Sequence, residues 1–504
     1  MIRVQNEAGP FSSFLRGERL AKLMVIGAMA LLLAQALPYF QHRWVEDESW
    51  YSIPGYTLAR AGEIRNPTFA DTDYESKVDT RPPMMPVTHA LSFAALGVHV
   101  WVARLGSLLA ILGTLPLVYL VGRELGYPWA GGVAALFLAT DNLIFLAART
   151  ARPEAWVTFL GTLSLLFVLR SNARNSKLEL FLGGVAAGLA ANYHVAGLAL
   201  GAVMCLLVLY QDGFQSLKQA RFWCGMCGFA LALAPFAIWI ATSGVRTEAF
   251  FNMYMRGERI STATKLAAEA TRLKDFLGFS SQRLPLNLPV PLRLHIALAL
   301  LASVVILFRK KRPLFWLVIL VVVPQWIWWM YLPNKTVRYV ALAMPVLSLS
   351  LAIAVESLAQ RRQAFRVGAA VLCLCAVSQV AGNGVVLLQA RKADYVALEK
   401  RLRQAIPAGR VYGAITFAFA FEDRDYESYD RTPLSYAVEH KPPEYVITGD
   451  RVMMHGSGYG TDNLKDTRTV ALRFVEEHGV LVSRIEDPFY GDLMIYRIPR
   501  EAAR

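Results

Sequence analysis

Apolar residues in this chain come in long blocks rather than in strict alternation. The first, residues 23–40, is long enough to cross a bilayer, which takes about 20 predominantly apolar residues in a helix. Further blocks lie at roughly 104–122, 129–148, 154–170, 178–192, 195–210, 222–242, 292–308, 313–331, 338–356 and 367–389. With the first, they predict about eleven membrane helices on a window of about 19 residues. Two shorter pieces read differently. Trp50, Ile53, Thr57, Leu58 and Ala61 share one side at helical spacing. Pro54-Gly55 interrupts them, which predicts a kinked amphipathic helix along the membrane surface. Residues 84–98, carrying His89, predict a surface or re-entrant helix.

Beyond residue 389 no apolar block remains. Tyr395, Leu398, Leu402 and Ile406 have helical spacing, ended by Pro407-Ala408-Gly409. Strand-like runs follow at 411–415, 445–447, 481–485 and 493–498, with a helix near 464–478. The expected fold class is an α-helical polytopic membrane protein with a C-terminal α/β or α+β domain. Its division is a transmembrane part, 1–389, with external loops 41–103 and 243–291, and a soluble part, 390–504. The loop His455-Gly456-Ser457-Gly458-Tyr459-Gly460 lacks the spacing of a dinucleotide-binding turn.

Composition supports the membrane class. The chain of 504 residues is 55% hydrophobic and 18% charged, against about a quarter charged in soluble proteins. A net charge of +14 would suggest nucleic acid in a soluble protein. Here the basic residues flank apolar blocks, so the excess of Lys and Arg in cytoplasmic loops explains them, and no nucleic acid is expected. With a cytoplasmic N-terminus, the inner connections hold Arg123, Arg170, Lys177, Lys218, Arg221, Arg309–Arg312, Arg361 and Arg366. Every one is basic. That orientation places the acidic cluster at 46–48, Arg81, the turn 149–154, His194, 334–339 and the C-terminal domain outside the cytoplasm. Arg16, Arg19 and Lys22 before the first block imitate a signal peptide; an uncleaved anchor is expected. All five cysteines lie in apolar blocks. Cys224-Gly225-Met226-Cys227 reads as helix packing.

Acids and arginines gathered at one interface suit transfer from a lipid-linked phosphate. A carboxylate near an acceptor hydroxyl serves as general base, and Asp47, Glu48 and Glu154 are the candidates. Arginines hold phosphate through paired charge-assisted hydrogen bonds; Arg81, Arg338 and Arg152, with Lys335, are the phosphate-binding candidates. Tyr51, Arg60, Asp141, His194 and Tyr339 are candidates to line the cavity. Plainer readings stand beside these. Acids favour helix starts, and Pro153-Glu154 fits the first turn of a span. Arg81 before Pro82-Pro83 suits an interfacial anchor. His194 suits a helix end. No His/Cys set demands a metal, and a divalent cation stays open.

Five segments occur in order: Asp47-Glu48-Ser49-Trp50-Tyr51, Ala59-Arg60-Ala61-Gly62, Arg81-Pro82-Pro83-Met84, Trp101-Val102-Ala103-Arg104-Leu105 and Ala148-Arg149-Thr150-Ala151-Arg152-Pro153-Glu154. With Arg338-Tyr339 ahead of Pro345, the set resembles the GT-C class of membrane glycosyltransferases, in the protein O-mannosyltransferase and lipid A aminoarabinose transferase group. The resemblance implies an inverting transfer from a polyprenyl-phosphate sugar to a lipid, polysaccharide or protein acceptor, at the extracytoplasmic face of a bacterial inner or plasma membrane. It makes Asp47 the base. Arg81 stands where the group often has lysine, and Glu154 where it often has aspartate. The rival class is a transporter or flippase of a lipid-linked sugar. That would favour repeated halves and mid-membrane charge; no repeat is evident, and apart from Asp141 the charges cluster at one interface.

Overall fold

A computed structural model describes residues 17–44, 48–68, 82–242, 294–331, 337–429, 434–449 and 472–499, with Ala267, Ala270 and Thr432. The loop at 455–460, nearly all of 243–291 and the helix expected from 464 to 471 lie outside the described residues. The first apolar block is α1, Glu18–Ala36, followed by α2, Glu48–Ala61, and α3, Met84–Leu96. α2 runs through Pro54 as one helix. It packs on α3 at Gly55, where a Cβ would overlap the His89 side chain. α4, Val100–Glu124, is followed by α5, Pro128–Thr140, and α6, Asn142–Arg149. The block at 129–148 is therefore two helices, bent by 67° at Asp141.

Four helices continue the bundle: α7, Glu154–Arg174; α8, Lys177–Tyr193; α9, Leu198–Asp212; and α10, Ala220–Thr242. α8 and α10 lie almost backbone to backbone, because any side chain at Gly184 would overlap the Gly225 carbonyl. Small residues allow that approach in apolar surroundings, as the reading of 224–227 expected. Then come α11, Leu294–Lys310; α12, Arg312–Tyr331; α13, Met344–Glu356; and α14, Arg362–Ala390.

Not every one of the eleven expected spans is a long, continuous helix. Among the described residues six helices are long and apolar enough, or seven if the bent α5–α6 pair is one span. Helix α13 has 13 residues, about 20 Å at 1.5 Å per residue, short of a hydrocarbon core of about 30 Å. The apolar block at 338–356 is longer because its first turn, Val337–Leu342, is a separate 3-10 segment.

The last part carries α15, Tyr395–Ala405, α16, Leu434–His440, and five described strands: β1, Val411–Gly413; β2, Tyr426–Ser428; β3, Tyr445–Gly449; β4, Val480–Asp487; and β5, Gly491–Arg497. The sheet order is β2-β1-β3-β5-β4. β1 pairs parallel with β2 and β3, while β5 is antiparallel to β3 and β4.

This part is packed onto the loop after α1. The Tyr395 amide donates to the Gln41 carbonyl at 2.8 Å, and the Arg43 amide to Ala393 at 3.0 Å. Arg43 Nε donates to Asp487 Oδ2 at 2.9 Å, with both side chains buried. Trp44 stacks on Phe419, ring centroids 4.8 Å apart, and its carbonyl accepts from Tyr490 at 2.8 Å. One apolar core thus contains both segments.

Candidate active site

The end of the bundle that meets this domain is built around one buried ion pair. Arg104 lies in the first turns of α4, and both it and Glu48 are fully buried. Arg104 Nε and Nη2 donate to the two Glu48 oxygens at 2.9 and 2.7 Å. Its nitrogens also donate to the carbonyls of Tyr39, Phe40, His42 and Arg43 at 2.8–3.1 Å. Glu48 Oε1 accepts from the Ala151 amide at 2.7 Å. One turn on, Ser107 Oγ donates to the Arg152 carbonyl at 3.2 Å. α4 therefore fixes three things together: the first loop, the start of α2 and the turn before α7.

That turn presents Arg152 and Glu154. Arg152 Nη2 donates to Glu154 Oε1 at 2.9 Å, and the two side chains are 9% and 5% exposed. The Arg152 guanidinium lies 5.9 Å from the centroid of the Tyr51 ring. Across from it, His194 ends α8; its Nδ1 accepts from the Ala196 amide at 3.1 Å, so Nε2 carries the proton in the neutral ring. The ring is 5.4 Å from that of Tyr339. Trp328 Nε1 donates to the Val195 carbonyl at 3.1 Å, tying α12 to the same turn. Beneath, Thr88 and Tyr193 hydroxyls are 2.9 Å apart, and Trp156 stacks on Tyr193 at 4.9 Å. Tyr51, Met85, Val157, Leu160 and Tyr339 form the apolar wall.

A third arginine is placed differently. Arg149 is buried, its guanidinium 4.0 Å from the Tyr39 ring and 4.6 Å from Phe145. Its Nε and Nη1 have no hydrogen-bond partner among the described residues. His42, stacked on Tyr39 at 4.3 Å, donates from Nδ1 to the Arg43 carbonyl at 3.0 Å. Burial pushes its pKa well below the usual imidazole value, and the Arg104 charge adds to the shift.

Five of the candidates read from the sequence come together here: Tyr51, Arg152, Glu154, His194 and Tyr339, with Arg338, half-buried, next along the chain. Asp47, Arg81 and Lys335 lie outside the described residues. Three candidates have other places. Glu48, a catalytic candidate, is enclosed by Arg104 and Ala151, so its carboxylate holds structure. Arg60, a cavity candidate, is exposed, with its guanidinium 5.4 Å from the Tyr56 ring. Asp141, read as cavity-lining, caps α6 by accepting from the Leu143 and Ile144 amides at 2.8 and 3.2 Å, the usual task of an aspartate at a helix start. Arg104, Ser107, Thr88, Trp156 and Tyr193 were not among the candidates. Among the described residues no three His, Cys, Asp or Glu side chains gather to hold a metal.

Solved structures share this architecture. ArnT from Cupriavidus metallidurans, bound to undecaprenyl phosphate, superposes with a TM-score of 0.67 at 12% identity, over 97% of this chain and 99% of that one. The fold is that of the GT-C membrane glycosyltransferases. The oligosaccharyltransferase AglB from Archaeoglobus fulgidus, in complex with an inhibitory peptide and a dolichol-phosphate, aligns at TM-score 0.53 and 11% identity, over 96% of this chain and 74% of that one. Residues 80–239 match the family described as dolichyl-phosphate-mannose-protein mannosyltransferase. No curated protein matches the sequence. The family match takes in the segments from Arg81 to Glu154, and the chain is an integral membrane protein of this architecture.

Proposed function

We propose that the protein transfers a sugar, with inversion, from a polyprenyl-phosphate donor to an acceptor hydroxyl or phosphate at the extracytoplasmic face. The observation that carries this reading is the meeting of Arg152, Glu154, His194, Tyr51 and Tyr339, from distant segments, at one end of a GT-C bundle. The neighbouring architectures were solved with undecaprenyl phosphate and with dolichol-phosphate, which supports a lipid-phosphate donor.

In this mechanism the acceptor oxygen attacks the anomeric carbon as the bond to the phosphate oxygen breaks. Asp47 takes the acceptor proton. The phosphate leaves with the bonding electron pair, and Arg81, Arg338, Lys335 and Arg152 stabilise its charge. Glu154 keeps Arg152 aimed, and Glu48 is a positioning residue that holds the start of α2 one peptide link from Asp47. The N-terminus is cytoplasmic and residues 390–504 are external, docked on the first loop. No observation favours a transporter. The experiment is turnover of the purified protein with the lipid-phosphate sugar that co-purifies with it. Formation of glycosylated acceptor and free polyprenyl phosphate supports the reading; release of intact donor across a bilayer with no new glycoside refutes it.

A further inference from the structure

Remote from Arg152 and Tyr339, at the opposite end of α13, the bundle has a gap. α11, α13 and the first half of α14 enclose about 620 Å³, lined by Ala302, Ser303, Ile306, Leu351, Val355 and Val371. That volume is in the range of small-molecule sites. Its wall is apolar, and the Ser303 hydroxyl already donates to the Leu300 carbonyl at 2.7 Å. Val367 and Val371 line the groove and are exposed, as are Val305, Phe308 and Leu374 on the same helices, so the groove opens onto the apolar face of the bundle. All buried residues of α14 lie from Cys375 onward. Its first half is only partly buried, held by Phe365, Ala369 and Leu372 against the core and by the Phe365 ring 5.8 Å from that of Trp129, with the groove beside these contacts. Protein interiors are close-packed, and a gap open to hydrocarbon is filled by a lipid chain.

Charge at one end of the groove selects the lipid. Arg361 lines it, and Lys310, Arg362 and Arg366 are exposed at the same end. Glu356 is the one acid on α11, α13 or α14, and its Oε2 accepts from the Ala130 amide at 3.1 Å, towards α5. We infer that this groove binds an anionic membrane phospholipid, one acyl chain between α11, α13 and α14 and its phosphate against Arg361 and Lys310. Basic pockets between membrane helices bind such headgroups. The lipid fills the gap beside the loosely packed first half of α14, whose other end leads through Ala390 into the docked domain. The inference needs only the membrane bundle and not the transferase reading.

The test is native mass spectrometry of the full-length protein in detergent, with phosphatidylglycerol or phosphatidylcholine of identical chains added. The wild type retains one phosphatidylglycerol in preference to phosphatidylcholine. Arg361→Ala, at an exposed position, loses about fivefold of that preference, the contribution of one basic residue near an anionic headgroup. Ala302→Phe fills the groove and expels both lipids. Equal retention of phosphatidylglycerol by wild type and Ala302→Phe overturns the inference, as does an unchanged preference in Arg361→Ala. Displacement of the phospholipid by polyprenyl phosphate also overturns it, because the groove would then hold the donor's tail.

Discussion

Two arginine–glutamate pairs, Arg104–Glu48 and Arg152–Glu154, sit within a few residues of each other in the fold and do different work. Arg104 and Glu48 come from different helices, are wholly enclosed, and have their capacity filled by backbone groups. Arg152 and Glu154 are two residues apart on one turn, retain some exposure, and face rings rather than carbonyls. A pair that joins distant segments and meets every polar group with backbone holds a fold. A pair formed within one turn ties no distant helices together through its own bond, and on the proposed function its arginine faces the donor phosphate. The same two side chains thus serve as scaffold in one place and, on the proposed function, as chemistry in the other, according to what surrounds them.

Removing one partner of the enclosed pair should have the largest effect on stability. Arg104→Ala leaves Glu48 buried without its cation, which costs about 3–5 kcal/mol. Thermal unfolding and the yield of folded protein in membranes will show it. Adding Glu48→Met should restore little, since four carbonyls lose their donor as well; full recovery would break the contrast. Next is Arg152→Ala, which leaves Glu154 with His194 nearby, should cost less stability than Arg104→Ala, and should lower turnover by about 10²–10³-fold, the usual loss for one transition-state donor. Arg152→Lys should recover only part, because a point charge lacks the guanidinium fork. An unfolded Arg152→Ala protein would make the two pairs alike.

Acid should weaken the scaffold side through His42. Its folded pKa lies below the unfolded value, so the unfolded chain binds the extra proton first and stability falls as pH drops through about 6.5. Melting curves from pH 8 to 5 should show a decline that His42→Asn reduces; a flat profile would contradict the neutral, buried ring. The smallest effect belongs to Arg60→Ala. An exposed side chain stacked on Tyr56 should change stability by less than about 0.5 kcal/mol and leave turnover unchanged.

Much of the bundle was legible because long apolar runs have few other uses, and α1, α4, α7, α10 and α14 lie where those runs are. The shorter α13 begins later than its apolar block, since periodicity does not reveal that residues 337–342 turn before the helix starts. β2 was missed: Tyr426-Glu427-Ser428 is three residues without alternation, paired parallel to β1, and its partner is specified only by the fold. Asp141 carried a signal with two readings, and its cap of α6 shows one of them. A carboxylate inside an apolar block marks either a cavity or a helix start, and here the block breaks at it. Arg104 had the clearest unread signal, a charge within an apolar run, which the motif Trp101–Leu105 marked without giving its partner. The approach of Glu154 to His194, and of His194 to Tyr339, could not be read at all, because it depends on how α7, α8 and the turn at 337–342 pack.

The central claim is that neighbouring acids divide the labour, Asp47 taking the proton and Glu48 holding the site. Asp47→Asn and Glu48→Gln, assayed together for melting temperature and for turnover per folded molecule with the lipid-phosphate donor, test it directly. Asp47→Asn should melt like the wild type and turn over at least about a hundredfold more slowly, while Glu48→Gln should melt earlier and keep most of its turnover per folded molecule. Near-normal turnover in Asp47→Asn, or a stable but inactive Glu48→Gln, would contradict the account.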